Sequence, residues 1–292
     1  MAAERDVRVG DGRRLRLTEG GAASGPAVFV LHGSPGMGDL YEPHVRDARA
    51  RRVRLIGHDR SGYGDSTPHP GRSIADESAD VAAIADELGI DRFGVWGFSG
   101  GGALALACAA QLPKRVVGAA CISGLAPRGA DGLDWLAGMG ESNVEEFRQL
   151  LEDRPAWERK TTEECAALAS ADLAQLTSSM STLLSEVDRA AFQGDLGRYF
   201  HGIMTGGVRH GSDGYRDDSL AQMQPWGFDV QSIRVPTQIW HGAQDRFVPY
   251  THGQWLAARI AGAEAHLLPV EGHITLYEHA VPQVHAWLAA RF

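Results

Sequence analysis

The stretch Phe93-Gly94-Val95-Trp96-Gly97-Phe98-Ser99-Gly100-Gly101-Gly102-Ala103-Leu104-Ala105 decides the fold. Phe93 to Trp96 reads as a short apolar strand, and Gly100 to Leu112, rich in Ala and Leu, reads as a helix. Between them Gly97-Phe98-Ser99-Gly100-Gly101 spells Gly-x-Ser-x-Gly in the strand-to-helix setting that gives the pattern its meaning. A serine at the apex of so tight a turn needs glycine two residues to either side. Its own backbone is expected to be strained, at a cost of order 1–3 kcal/mol. The hydroxyl then stands at a helix N-terminus, where free N–H groups and the positive end of the helix dipole favour an anion.

Working outward, the same rhythm recurs. Ala27 to Leu31, Val53 to Ile56 and Val116 to Ile122 are further apolar runs, and Thr237 to Trp240 and Ala265 to Leu268 follow late in the chain. Unbroken apolar runs predict strands covered on both faces, as in a parallel sheet. Helical patterns over Ser73 to Leu88, Gly253 to Ala261 and Tyr277 to Arg291 fill the gaps, so the alternation predicts a doubly wound, mostly parallel α/β fold. At the N-terminus, Arg5 to Val9 and Arg14 to Thr18 flank Gly10-Asp11-Gly12 and predict a hairpin. From Leu125 to Trp226 the strands stop, and amphipathic stretches at Val144 to Leu151 and Thr162 to Leu176 predict an inserted helical cap. The expected division is therefore a core of residues 1–124 and 227–292 with a cap of 125–226.

A serine hydroxyl needs a base to take its proton and an acid to orient that base. Asp245, in His241-Gly242-Ala243-Gln244-Asp245, follows one late strand, and His273, in Glu271-Gly272-His273, follows the other. Both are expected in loops at the carboxyl edge of the sheet, where open α/β folds build their sites. The turn His32-Gly33-Ser34-Pro35-Gly36 follows the strand Ala27 to Leu31 and is expected to aim the N–H of Ser34 at the nucleophile. Together with the N–H of Gly100 it would form an oxyanion hole, in which one donor is worth about 2.7–4 kcal/mol. Most cap aromatics should simply pack against a core; Trp135, Trp157, Phe200 and, beyond the cap, Phe247 are the candidates for contact with substrate.

Taken together, the His32 to Gly36 turn, the segment Asp59-Arg60-Ser61-Gly62-Tyr63-Gly64-Asp65-Ser66, the elbow around Ser99, and the segments ending in Asp245 and His273 resemble the α/β-hydrolase superfamily, serine-nucleophile branch. The resemblance implies the triad Ser99, Asp245 and His273, oxyanion donors at Ser34 and Gly100, and a structural role for Asp59 to Ser66. Some relatives supply the acid from the loop after the fourth strand, which makes Asp131 or Asp134 the alternative. Serine at the elbow argues against the branches that use an aspartate nucleophile. Proline iminopeptidases share a similar turn to His32-Gly33-Ser34-Pro35-Gly36 but usually carry Gly-Gly-Ser-Trp-Gly where this chain has Gly-Phe-Ser-Gly-Gly.

Composition narrows the function classes. Of 292 residues 43% are hydrophobic and 22% charged, which predicts an ordinary globule. A net charge of −9 offers no electrostatic footprint for nucleic acid. Cys108, Cys121 and Cys165 form no Cys-x-x-Cys pair, and the opening residues lack the apolar core of a signal peptide, so a cytoplasmic protein without a membrane span is expected. The basic residues Arg46, Arg49, Arg51, Arg52 and Arg54 read as a solvated face at a helix end. His32 and His58 fall at strand ends without ligands at metal spacing, and no phosphate-loop or dinucleotide pattern occurs, so neither metal nor cofactor is expected. The sequence thus predicts a serine hydrolase for an ester, or an amide or thioester, of a small apolar molecule. The alternatives are carbon–carbon hydrolysis, lysis or perhydrolysis by the same triad, or a slow ligand-binding relative.

Overall fold

The computed structural model describes residues 3–292. Strands apolar throughout are stable only where both faces are covered. That is the situation of β3 (Ala27–Leu31), β5 (Phe93–Phe98), β6 (Val116–Ile122) and β7 (Thr237–Gly242), which are buried at every residue. With β1 (Ala3–Arg8), β2 (Arg14–Gly21), β4 (Arg54–His58) and β8 (Glu264–Leu268) they form an eight-stranded sheet in the order β1-β2-β4-β3-β5-β6-β7-β8. From β4 to β8 the pairings are parallel, while the β1–β2 hairpin lies antiparallel along the β4 edge.

The two-residue period of the strands sorts the core onto two faces. Phe29, Leu31, Val95, Ala119 and Ile239 pack with α2 (Glu77–Glu87), α3 (Gly100–Gln111) and α10 (Tyr250–Arg259). Val28, Val30, Trp96, Phe98 and Trp240 pack on the other face with α1 (Glu42–Ala50) and α11 (His273–Ala289). α3 is buried continuously from Gly100 to Ala109, which is why its sequence shows no polar stripe. At the end of α1, Arg51 pairs with Asp47, and Arg54 crosses to Glu19 on β2, as a charged outer face would.

Between β6 and β7 come α4 (Glu141–Glu152), α5 (Arg154–Ala169), α6 (Leu173–Ser179), α7 (Glu186–Ala191), α8 (Asp195–Gly207) and α9 (Asp213–Gln222), the helical cap. The helix expected over Thr162 to Leu176 is in fact two. Asp172 stops it by accepting the N–H of Gln175 at 2.8 Å while Gln175 Oε1 accepts the N–H of Asp172 at 2.8 Å, a reciprocal box that starts α6. The helix expected from Ser73 starts four residues later, at Glu77, because Asp76 first closes a turn on the N–H and hydroxyl of Ser73. α11 starts at His273 rather than Tyr277, so His273 is the first residue of a helix and not part of a loop. Among the described residues no helix is long and apolar enough to cross a membrane.

Candidate active site

All the parallel strands end at one edge of the sheet, and the sequence segments picked out above follow β3, β5, β7 and β8 there. Ser99 sits between β5 and α3 with φ 54° and ψ −124°. The glycines around it are required by backbone approach rather than by flexibility. A Cβ on Gly97 would stand 1.9 Å from the carbonyl oxygen of Gly101, and one on Gly101 would stand 2.2 Å from that of Leu31. The elbow can therefore fold tightly enough to expose the serine only with glycine at both positions.

His273 Nδ1 lies 2.7 Å from Asp245 Oδ2. Asp245 is itself fixed: its Oδ1 accepts the N–H groups of Phe247 at 2.9 Å and Val248 at 2.8 Å. Both side chains are buried. Because the carboxylate takes Nδ1–H, Nε2 is left as the basic nitrogen of the neutral ring. The imidazole is held between Phe98 and Phe247, with ring centroids at 4.8 and 4.6 Å, and Phe98 immediately precedes Ser99. His241 also approaches Asp245, its Nε2 3.5 Å from Oδ2, but that nitrogen is already 2.8 Å from the Val248 carbonyl and burial pushes the ring's pKa down. The alternative acids Asp131 and Asp134 are exposed, and the Asp131 backbone carbonyl accepts the indole N–H of Trp255 at 2.9 Å. The structure thus pairs His273 with Asp245 and sets the imidazole against Phe98, the residue before Ser99, while Asp131 and Asp134 stay at the surface.

The turn after β3 presses on the elbow. A Cβ on Gly33 would be 3.2 Å from the Ser99 Cβ, and one on Gly100 would be 2.5 Å from the Ser34 hydroxyl oxygen. That hydroxyl is committed elsewhere. It donates to Asp218 of α9 and accepts from Arg60 Nη2 at 3.1 Å. Arg60, buried, also donates to the carbonyls of His32 at 3.2 Å and Gly33 at 3.3 Å and to Asp218 Oδ1 at 2.7 Å. Arg72 adds a 2.5 Å bond to Asp218 Oδ1, and the Tyr63 hydroxyl adds one of 2.8 Å to Oδ2. Burial alone would raise the Asp218 carboxyl, but the guanidiniums of Arg60 and Arg72 outweigh it and hold it well below the ordinary range. For His32 burial and the nearby Arg60 act together, pushing it well down, so the ring is neutral with Nδ1 donating to Gly33 O at 2.7 Å and Nε2 accepting the Arg60 N–H at 3.2 Å.

Arg60 therefore does more than the structural part expected of Asp59 to Ser66. Asp59 does serve that part, accepting the N–H groups of Gly38 at 2.8 Å and Asp65 at 3.0 Å. His58 pairs with Glu77 at 2.7 Å, and among the described residues no group of three or more potential metal ligands occurs.

A cavity of about 620 Å³ opens over Ser99, lined from the core by Ser34, Pro35 and Gly100 and from the cap by side chains such as Leu125, Met180 and Leu183. Of the four aromatics expected to face substrate, Phe247 lines it. Trp135, Trp157 and Phe200 do not. Trp135 packs with Leu125, Met139 and Phe147 and donates its N–H to the Ala126 carbonyl at 2.8 Å. Trp157 is buried within the cap, and Phe200 closes against Phe98 and Tyr277 at 5.7 and 5.2 Å. The wall is also more polar than expected, with Glu145, Glu146, Lys160, Glu164 and Tyr215 alongside the apolar residues. Along α9, Tyr215, Ser219 and Gln222 line the cavity at helical spacing, and Gln222 Nε2 would lie 3.3 Å from a Cβ on Gly100. Reasoning on sequence missed Arg60, Asp218 and Gln222, and only the Tyr215/Ser219/Gln222 spacing left a trace there.

The family described as alpha/beta hydrolase fold matches residues 26–280. A 2-hydroxy-6-oxo-2,4-heptadienoate hydrolase from Pseudomonas putida is 31% identical, over 86% of this chain and 83% of the relative. A proline iminopeptidase from Xanthomonas citri is 35% identical over a shorter stretch, 36% of this chain and 34% of the relative. Among solved structures, a bromoperoxidase from Bacillus anthracis superposes with a TM-score of 0.72 at 20% identity, covering 98% of each chain, a likeness of fold.

Proposed function

The chain belongs to the alpha/beta hydrolase fold family, and from that membership we propose that it is a serine hydrolase cleaving a carboxylic ester of a small, mainly apolar molecule through an acyl-enzyme. Ser99 Oγ attacks the carbonyl carbon while His273 Nε2 takes its proton, and Asp245 holds the imidazole in the tautomer that leaves Nε2 free. The tetrahedral oxygen is received by the N–H groups of Ser34 and Gly100. His273 then gives its proton to the departing alkoxide. Water, deprotonated by the same nitrogen, releases the acid and restores Ser99. Amides and thioesters would follow the same steps.

The observation that carries this reading is the positive φ of Ser99 in the wall of the cavity, together with the 2.7 Å His273–Asp245 pair. The cavity volume, about 620 Å³, lies within the ordinary range for small-molecule sites. Three buried unpaired cysteines support a reducing, cytoplasmic setting. A second reading, hydrolysis of a carbon–carbon bond beside a ketone, is favoured by the name of the Pseudomonas putida relative. The same serine and oxyanion donors would serve it.

Two measurements test the proposal. A fluorophosphonate should label one serine, and Ser99→Ala should abolish labelling and lower kcat by about 10⁴-fold or more. A panel of p-nitrophenyl esters set beside a 2-hydroxy-6-oxo-dienoate separates the two readings: turnover of the dienoate with none of the esters would replace the first by the second.

A further inference from the structure

The cap reaches the candidate histidine through a buried carboxylate. α11 begins at His273, and a helix start leaves its first N–H groups without partners inside the helix. The residue before it, Gly272, has no side chain to cap them. Asp188 of α7 does so instead: Oδ2 accepts the N–H of His273 at 3.0 Å, and Oδ1 accepts those of Ile274 at 2.7 Å and Thr275 at 3.1 Å. The Ser185 hydroxyl adds a 2.7 Å bond to Oδ2. Asp188 is completely buried. Gly272 is what admits it, since a Cβ there would stand 2.3 Å from each carboxylate oxygen.

We propose that Asp188 is a positioning residue that ties the cap to His273. The inference rests on the reading of His273 as the base that serves Ser99. Two anchors then fix that residue, one at the ring and one at the main chain: Asp245 holds Nδ1, and Asp188 holds the backbone N–H. The carboxylate also faces the positive end of the α11 dipole, where its charge is favoured. A cap that merely enclosed substrate would have no reason to bury an acid on the first turn of this helix. Displacing a catalytic group by about 1 Å costs on the order of 10²-fold in rate, so loss of the anchor should be felt in the chemical step.

Asp188→Asn keeps the shape but turns an N–H donor toward at least one of the groups that now donate. The full-length variant should lose about 10- to 100-fold in kcat with KM within about twofold, and fluorophosphonate should label Ser99 more slowly by the same factor. Gly272→Ala should reproduce the effect by displacing the carboxylate, and the two together should cost less than the sum of each alone. The proton on Nδ1 of His273, followed by NMR, should shift in both variants. If both fold and both keep wild-type kcat and labelling rate, or if the loss equals the fraction of protein that no longer folds, the tether is overturned. Labelling that survives in Ser99→Ala would defeat the underlying reading instead; the tether then stands or falls on the His273 signal, and an unchanged signal in Asp188→Asn overturns it.

Discussion

The ring of Phe247 lies over the imidazole of His273, centroids 4.6 Å apart and planes inclined by 20°. Phe247 also lines the cavity, and its backbone N–H holds Asp245, so a single residue touches the cavity, His273 and Asp245. Aromatic contacts of this kind contribute about 0.5–1.5 kcal/mol beyond burial. Phe247→Ala should accordingly lower kcat by about 2- to 12-fold and shift the preferred acyl length in steady-state assays across an ester series. Unchanged kcat together with an unchanged length profile would show the stacking to be idle.

Asp245→Asn should cost on the order of 10⁴-fold in kcat, because the amide can retain the bonds from Phe247 and Val248 yet stabilises the wrong tautomer of His273. Asp131→Asn and Asp134→Asn, both at the surface, should leave turnover within about twofold, as surface substitutions commonly do. Kinetics of the three purified variants decide the matter: loss at position 131 or 134 with activity kept at 245 reverses the assignment of the acid.

Gln222 places its amide beside Gly100, where the elbow has no side chain of its own. A neutral hydrogen bond is worth about 0.5–1.5 kcal/mol net. Esters carrying an oxygen next to the scissile carbonyl should therefore lose about 2- to 12-fold in kcat/KM on Gln222→Ala, while plain alkanoate esters change little. An equal loss for both sets would assign Gln222 to packing.

His44 is buried among Tyr41, Trp96 and Tyr277, and neither ring nitrogen has a hydrogen-bond partner among the described residues. Burial pushes its pKa from 6.5 down to about 3. The unfolded chain therefore binds a proton below pH 6.5 that the native protein refuses, and stability present above that pH is lost as pH falls toward 3. By about pH 4 this site alone should cost about 3 kcal/mol. His252, pushed down to about 4 by burial, adds to the same trend. Thermal melts between neutral and mildly acid pH should show His44→Phe losing less stability than the wild type; parallel pH dependence of the two proteins would refute this.

Much of the sheet was legible because its strands are covered on both faces and so carry no polar alternation, β3 and β6 matching their predicted limits. The elbow was legible because backbone contacts at Gly97 and Gly101 leave no freedom of residue choice. The start of α11 was not, since its cap comes from Asp188, far away in sequence, and Gly272 gives no local sign of it. The break between α5 and α6 was written in Asp172 and Gln175, a capping signal overlooked inside a plausible amphipathic run. Trp135, Trp157 and Phe200 show the remaining limit: an aromatic at helical spacing reveals that it is buried but not what it is buried against, and here none of the three faces the cavity.

The grip of Asp218 on the turn after β3 bears on traffic through the site. Swinging α9 outward would strip the buried guanidiniums of Arg60 and Arg72 of their carboxylate, and breaking such a pair costs about 3–5 kcal/mol. α7 is fastened in the same manner through Asp188 to the first turn of α11. Among the described residues α5 and α6 show no ion pair of this kind to the sheet; they pack chiefly on α4 and α8, themselves parts of the cap. Local loosening of the cap is therefore expected first on its α5–α6 side, and substitutions there should change the rate of ligand exchange with the cavity while leaving the pairing of His273 with Asp245 intact.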